Sequence, residues 1–166
     1  MDRRHFIFAL TGIAALLAAA TRTLHAECGE MSSIEFVEVT WEKQARLHKE
    51  KTPPGDEAFY ALFSGEMQKL MRAPRTMSAN APIGPLLNAF FGYGVLPGTE
   101  VEIGTIAPVS GKDGGPAMVR VTVKHHGERY NILVHVIREG DDCRIANIIY
   151  DSGNSLIGHY RAMTAR

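Results

Sequence analysis

Four side chains in the second half of the sequence have the chemistry that an active site or a polar ligand contact needs. An imidazole or a carboxylate can act as a general base, and a phenol can donate a hydrogen bond to a developing oxyanion. An isomerase-type reaction would need a carboxylate base and an acidic hydrogen-bond donor inside an apolar cavity. The candidate ligand-binding residues are His125, Glu102, Tyr130 and Tyr150.

Two predicted strands position most of these side chains. They read MVRVTVKHH and RYNILVHVI, and they flank Gly127-Glu128. Glycine at the first central position of a two-residue loop favours a type II′ hairpin. Alternation of side chains then defines one face that should pack on helices. This predicted core face holds Val119, Val121, Val123, His125, Tyr130, Ile132, Val134 and Val136.

The opposite face of the same sheet mixes polar and aliphatic side chains. Extending the register to the last strand, CRIANIIY, pairs Val134 with Ile148 and places Asn147 in a row with His135 and Arg120. One interpretation is cross-strand hydrogen bonding on a wet surface. The other is a binding or homodimer surface, because several large aliphatic side chains on one face favour cover. The candidate interface residues are Arg120, Leu133, His135, Ile137, Ile145, Asn147 and Ile149.

The two tyrosines are predicted to be neighbours on the core face. The same register places Ala146, Ile148 and Tyr150 there, with Tyr130 and Tyr150 on either side of Ile132. Their rings would fill the core while their hydroxyls reach water at its rim, or the hydroxyls would contact a ligand. The central strand positions place no carboxylate on this face, so we name no catalytic residue.

Residue spacing argues against a metal site, an activated nucleophile and a nucleotide cofactor. His125 and His126 are consecutive on a strand and point to opposite faces, and no other spacing matches a zinc or iron site. The chain has no GxSxG elbow, and Cys143 has no evident base. The runs GKDGG and GYGVLPG lack the context and spacing of phosphate-binding loops. We therefore expect no metal and no cofactor.

Residues 1–26 have the three-part layout of a secretory signal peptide. A basic start precedes an apolar run from Phe6 to Ala20, which is too short for a good membrane span. Cleavage after Ala26 would release a single domain, residues 27–166. The pair Arg3-Arg4 resembles a twin-arginine signal, and an ordinary Sec signal is the alternative. Either route makes the protein periplasmic or secreted.

The net charge limits the classes of partner expected for the exported domain, and the cysteine count indicates a disulfide. Removal of residues 1–26 takes away three of 18 basic and one of 18 acidic side chains, which leaves a net charge of −2. Such a domain has no general attraction to nucleic acid or anionic lipid. The two cysteines, Cys28 and Cys143, favour a disulfide in an exported chain, and two unpaired thiols are the alternative.

The order of elements predicts an α+β fold. Ser32 and Glu35 form a capping-box pattern for a first helix, and further helical pieces lie between Asp56 and Pro74. Residues 74–98 are irregular, with one short helix predicted in PLLNAFFG. Strands then form a meander, and Ser155 or Asn154 caps a C-terminal helix. We expect N-terminal helices packed on a curved antiparallel sheet of about four strands, followed by that short helix.

Three segments carry a family resemblance: DEAFYALFSGEM, PIGPLLNAF and CRIANIIYDSGNSL. Residues 33–160 resemble the exported bacterial proteins grouped as domain of unknown function 3828, within the cone-shaped nuclear-transport-factor-2-like (cystatin-like) superfamily. The resemblance implies a sheet wrapped around a helix, with a cavity at the wide end. Relatives carry an aromatic residue in place of Cys143 and an acidic one near Asn147. Some superfamily members are ketosteroid isomerases or dehydratases, and many others are binding modules.

The sequence favours a non-enzymatic envelope module that binds an envelope protein or a small apolar ligand. The alternative is a small cone-fold enzyme of isomerase or dehydratase type, with His125 or Glu102 as base and Tyr130 as donor. A closed interior filled by valines would rule out the enzyme. An open pocket of several hundred Å³ (an order-of-magnitude size for ligand sites) with either base pointing in would revive it.

Overall fold

The computed structural model describes residues 27–28, 31–52, 55–74, 87–111 and 116–164, apart from the side chains of Glu27, Cys28 and Asp56. The predicted signal peptide and its cleavage site therefore lie outside the described residues. No described helix is long and apolar enough to cross a membrane. The chain has an α+β fold, as predicted: helices precede a four-stranded antiparallel sheet, and a short helix follows it.

Three helices form the N-terminal half. They are α1 (Ser33–Lys49), α2 (Asp56–Tyr60) and α3 (Gly65–Arg72). Ser32 caps α1 as predicted, since its hydroxyl accepts a hydrogen bond from the Glu35 amide at 3.2 Å. Ser64 caps α3 in the same way through the Met67 amide. The buried faces of α1 and α3 then contribute Val37, Trp41, Met67 and Met71 to the core.

Strands make one main sheet and two small hairpins. The hairpins pair β1 (Glu27–Cys28) with β2 (Met31–Ser32), and β3 (Leu87–Asn88) with β4 (Gly92–Tyr93). The main sheet runs in the order β5 (Val101–Gly111), β6 (Ala117–His125), β7 (Glu128–Glu139) and β8 (Asp142–Ile149). Two register shifts interrupt the pairing of β5 with β6. The helix predicted in PLLNAFFG is wrong over its described part, because residues 87–93 form the β3–β4 hairpin.

The turn between β6 and β7 differs from the prediction. His126 and Gly127 are its central residues, with φ values of 50° and 83°, so the turn is of the type I′ class. Lys124 therefore pairs with Arg129, a shift of two residues from the predicted register. Because side chains alternate with a period of two, an even shift leaves every side chain on its predicted face.

Burial confirms the predicted faces of the β6–β7 hairpin. The six aliphatic residues of the core face are at most 1% exposed: Val119, Val121, Val123, Ile132, Val134 and Val136. The pairs Val134–Ile148 and His135–Asn147 also form as predicted. The predicted row through Arg120 is wrong, because the two-residue shift pairs Arg120 with Leu133 and His135 with Met118.

A bulge in β8 reverses the predicted position of Ile145. The register shifts between the pairs His135–Asn147 and Val136–Ile145, so that β8 holds one extra residue, Ala146. An extra residue interrupts the alternation of faces. Ile145 is therefore fully buried in the core, and its prediction as an interface residue is wrong. Ala146, predicted on the core face, is only half-buried.

The last helix, α4 (Leu156–Thr164), is attached to β8 by side-chain caps. The Asn147 side chain accepts a hydrogen bond from the Ile157 amide at 3.1 Å, and the Ser155 hydroxyl accepts one from the Gly158 amide. The edge of β8 that faces away from β7 is also hydrogen-bonded. The Ile145 amide donates to the Leu62 carbonyl, and the Ile145 carbonyl accepts from the Ser64 amide. An asparagine inside a strand rich in isoleucine thus caps the next helix.

We expect the substitution Asn147→Ala to destabilise the protein by about 1 kcal/mol, the usual cost of removing a helix cap. The loss follows because the Ile157 amide would no longer have its acceptor. Urea unfolding followed by circular dichroism measures this change. The control is Asn131→Ala on the exposed outer face, where the amide oxygen only accepts from the Thr122 hydroxyl. Equal losses in the two variants would contradict the capping role.

Candidate functional site

The β3–β4 hairpin forms one wall of the candidate site. The Asn88 side-chain oxygen accepts hydrogen bonds from the amides of Phe90 and Phe91, at 3.0 and 3.2 Å, and so shapes the turn. Gly92 follows with a φ of 92°, and a Cβ there would lie 3.4 Å from the Tyr150 ring. Glycine is favoured at this position because residues with a side chain rarely adopt such a positive φ, whereas a Cβ would make only an ordinary contact with the ring.

Two tyrosines fasten this hairpin to the main sheet. The Tyr130 hydroxyl donates to the Phe91 carbonyl at 2.9 Å, and the Tyr150 hydroxyl donates to the Ala89 carbonyl at 2.8 Å. Burial raises the pKa of Tyr130 to about 12 and raises the pKa of Tyr150 further above its ordinary value. Both phenols therefore stay protonated and act as structural donors to the main chain.

An open groove of about 480 Å³ lies between the hairpin and one end of the main sheet. It brings together three of the four predicted ligand-binding residues: His125, Tyr130 and Tyr150. Its other lining residues are Phe91, Gly92, Tyr93, Val95, Glu128, Asp151, Ser152 and Asn154. The valines of the core face, which are not part of this lining, are at most 1% exposed.

Glu102, the fourth candidate, lies elsewhere. It pairs with Lys124 in the sheet register and therefore shares the outer face, where the two side chains form an ion pair at 3.0 Å. The core-face neighbours on β5 are Val101 and Ile103. Glu102 therefore does not line the groove.

Four acidic or aromatic lining residues of the groove were not predicted: Glu128, Asp151, Phe91 and Tyr93. Glu128 was assigned to the turn, whereas it is the first residue of β7 and pairs with His125. Asp151 follows β8, and Phe91 and Tyr93 belong to the small hairpin. A signal for Glu128 was available, since His126-Gly127 can also form a two-residue turn and would place Glu128 beside His125.

A chain of hydrogen bonds connects the groove to the C-terminal end of α1. The Thr99 hydroxyl donates to the Leu96 carbonyl at 2.8 Å, so its lone pairs accept from Nε2 of His48 and Nε2 of His125, at 3.2 and 3.1 Å. The Asn88 amide donates to Nδ1 of His48 at 3.3 Å. These partners assign His48 as the neutral tautomer with its proton on Nε2.

Both imidazoles of this chain are held in the neutral form. Burial is the main cause that lowers the pKa of His48, opposed by a hydrogen bond to the Leu96 backbone. Burial also lowers the pKa of His125, assisted by the neighbouring His126 and His48 and opposed by Glu128. His125 therefore faces the groove without a positive charge at neutral pH.

A smaller cavity of about 190 Å³ lies on the other side of His48. It is lined by Gln44, Leu47, His48, Lys51, Thr52, Asn88, Phe91 and Pro97. Gly98 lies beside Lys51 of this cavity. It has a φ of 85°, and a Cβ there would collide with the Lys51 side chain. The groove is larger than this cavity and is lined by more titratable and aromatic side chains, so it is the stronger candidate site.

The predicted interface residues lie on the outer face of the sheet, apart from Ile145. Arg120 is exposed, and the half-buried members are Leu133, His135, Ile137, Asn147 and Ile149. Asn147 is already used as the cap of α4. Whether a partner covers this face stays a prediction.

The predicted disulfide would join Cys28 to Cys143. Cys143 is buried and is not a free thiol, whereas the side chain of Cys28 lies outside the described part of the chain. Their pairing therefore stays a prediction.

Among the described residues, no three His, Cys, Asp or Glu side chains are grouped closely enough to hold a metal ion.

A scan with protein-family models found no match, and searches of curated proteins and of solved structures found none either. Membership of the nuclear-transport-factor-2-like superfamily therefore stays a prediction. The function of this chain has to be inferred from the groove itself.

Proposed function

We propose that the protein is a non-enzymatic binding module of the cell envelope, and that its ligand is a small molecule held in the groove. The observation that carries this proposal is the pair of hydrogen bonds from the Tyr130 and Tyr150 hydroxyls to hairpin carbonyls. These bonds fix the aromatic wall of the groove. A wall fixed before binding lowers the entropy lost when a ligand is bound.

The chemistry of the groove favours binding over proton transfer. General acid–base catalysis works best when the acid and the base have pKa values near the working pH. The pKa of Tyr130 is about 12, and its proton is already donated to the Phe91 carbonyl. Nε2 of His125 is engaged by Thr99. The groove therefore has polar groups that shape it and aromatic surface that contacts a ligand.

The alternative is a small enzyme of isomerase or dehydratase type, with His125 as base. One observation favours it: His125 lines the open groove, and Glu128 lies opposite it in the register and raises its basicity. Glu102 has no part in this alternative, because it is paired with Lys124 on the outer face.

Export to the periplasm or secretion is part of the proposal. Residues 1–26 act as a signal peptide of the Sec or twin-arginine type, residues 27–166 form one domain, and Cys28 pairs with Cys143. The buried position of Cys143 and its lack of a free thiol support this pairing. A four-stranded antiparallel sheet with helices before it supports membership of the cone-shaped superfamily.

The outer face of the sheet is a second surface in the proposal. An envelope protein or a second copy of the chain would pack on Leu133, Ile137 and Ile149, which are half-buried rather than fully covered. The net charge of −2 expected after signal removal supports neither nucleic acid nor anionic lipid as partner.

Native mass spectrometry of the exported protein tests the binding function. We expect a retained small molecule in the wild type and its loss in Ser152→Trp, because the indole would fill the groove. The control is Ser110→Trp, an exposed outer-face position on β5. Equal occupancy in both variants would contradict binding in the groove. Conversion of the retained compound that stops in His125→Gln would favour the enzyme instead.

A further inference from the structure

The charged residues of the groove are all acidic. Its eleven lining residues include two carboxylates, Glu128 and Asp151, and contain no lysine or arginine. Both carboxylates are exposed at the rim, and none of the ion pairs among described residues uses either of them. By contrast, Glu102 and Asp142 at other strand ends each contact a basic side chain. The groove therefore carries negative charge that the described protein does not neutralise.

The walls of the groove present aromatic rings whose phenol hydroxyls are bonded within the protein. Phe91, Tyr93, Tyr130 and Tyr150 all line it. The hydroxyls of Tyr130 and Tyr150 donate to carbonyls, and the Tyr93 hydroxyl is bonded to Nδ1 of His159 at 3.1 Å. Tyr93 and Tyr150 meet edge to face, with centroids 6.0 Å apart. Aromatic faces with electron-rich surfaces attract cations, and quaternary ammonium groups in particular.

These two features favour a cation over an anion. An anionic ligand would meet two carboxylates, no lysine or arginine, an imidazole that carries no charge at neutral pH, and phenol hydroxyls that are already bonded within the protein. A neutral apolar ligand would satisfy the rings but would gain nothing from Glu128 and Asp151. A cation with an apolar body uses both features, because its charge faces the carboxylates while its body lies against the rings.

We propose that the groove binds a small organic cation, an amine or quaternary ammonium group attached to an apolar body. This inference rests on the proposed binding function and names its ligand class. A volume of about 480 Å³ accommodates a ring and a charged head group, and it falls within the usual size of small-molecule sites.

The test compares three probes of similar size on the full exported protein: benzyltrimethylammonium, benzyl alcohol and benzoate. Titration is followed by heteronuclear NMR shifts of groove residues. We expect the cation to bind at least about tenfold more tightly than the other two probes, and its affinity to fall with added salt.

A double variant, Glu128→Gln with Asp151→Asn, removes the negative charge at exposed positions. We expect it to weaken binding of benzyltrimethylammonium at least about fivefold and to leave binding of benzyl alcohol unchanged. The matched control, Glu38→Gln with Glu42→Gln, makes the same change in net charge on the exposed side of α1. It is expected to keep wild-type affinity.

Two results would overturn the inference and leave the binding function standing. One is equal affinity for benzyl alcohol and the cation; the other is no binding of the cation while Ser152→Trp still removes a retained ligand. Failure of all probes, together with no ligand retained by the wild type, would overturn the inference and the proposed function together.

Discussion

Replacing Ile145 by alanine is expected to destabilise the protein by about 2–5 kcal/mol, the range for truncating a fully buried aliphatic side chain. Ile145 is completely buried and belongs to the core cluster that joins the sheet to α1 and α3. Truncation would leave a cavity, because the main chain of Ile145 is held by hydrogen bonds to Leu62 and Ser64 and cannot collapse freely.

The matched control is Ile149→Ala, four residues further along the same strand. Ile149 is half-buried on the outer face and pairs with Leu133, so its loss should cost less than half as much. Urea unfolding of both variants at one pH measures the difference. A strand without the bulge would expose Ile145 and Ile149 together, and the two variants would then lose similar stability. Such a result would contradict the register of β8.

Acidification from pH 7 to pH 5 is expected to destabilise the protein through His48 and His125. Their pKa values are lowered in the folded state, mainly by burial, whereas a histidine in the unfolded chain has a pKa of about 6.5. Below that pH the unfolded state binds more protons than the folded state. Stability from these groups is therefore complete above about pH 6.5 and falls as the pH drops towards the folded pKa values.

Protonation of His48 also breaks a specific contact. Nδ1 accepts from the Asn88 amide, so a proton on Nδ1 would bring two donors together. An unsatisfied buried polar group costs about 1–3 kcal/mol. The Asn88 side-chain oxygen also accepts hydrogen bonds from the amides of Phe90 and Phe91 in the groove wall. We therefore expect this wall to become more mobile when His48 is protonated.

Urea unfolding at pH 5, 6, 7 and 8 measures this pH dependence. The double variant His48→Gln with His125→Gln is expected to be less stable at pH 7 and to lose less stability on acidification than the wild type. The control, Ile149→Ala, changes no titrating group and should keep the wild-type pH dependence. An unchanged slope in the double variant would show that other groups cause the acid sensitivity.

The faces of the main sheet were predictable because alternation tolerates errors of two residues. The predicted turn at Gly127-Glu128 was wrong, yet Val119 to Val136 kept their faces. The bulge at Ala146 was not predictable, since it arises where Ile145 bonds to the segment around Leu62, more than 80 residues away in the sequence by numbering. Contacts of that range leave no periodic signal in a strand.

Only those residues of the candidate site that lie on the main sheet, or directly after its last strand, were predictable. His125, Tyr130 and Tyr150 share the core face at one end of neighbouring strands, and the structure brings them together in the groove. The wall formed by Phe91 and Tyr93 was missed, because the apolar run around them has a helical pattern. The hairpin prevails there because long-range phenol bonds satisfy its carbonyls and Gly92 allows its positive φ.

The hydrogen bonds along β8 have a further consequence for association between copies of the chain. Exposed strand borders are templates on which other chains can polymerise. At β8 that border is already occupied by Leu62, Ser64 and the approach to α4. At the opposite border, β5 carries Pro108 and two register irregularities, which misalign an incoming strand. Growth of fibres by strand addition is thus blocked on one side of the sheet and hindered on the other.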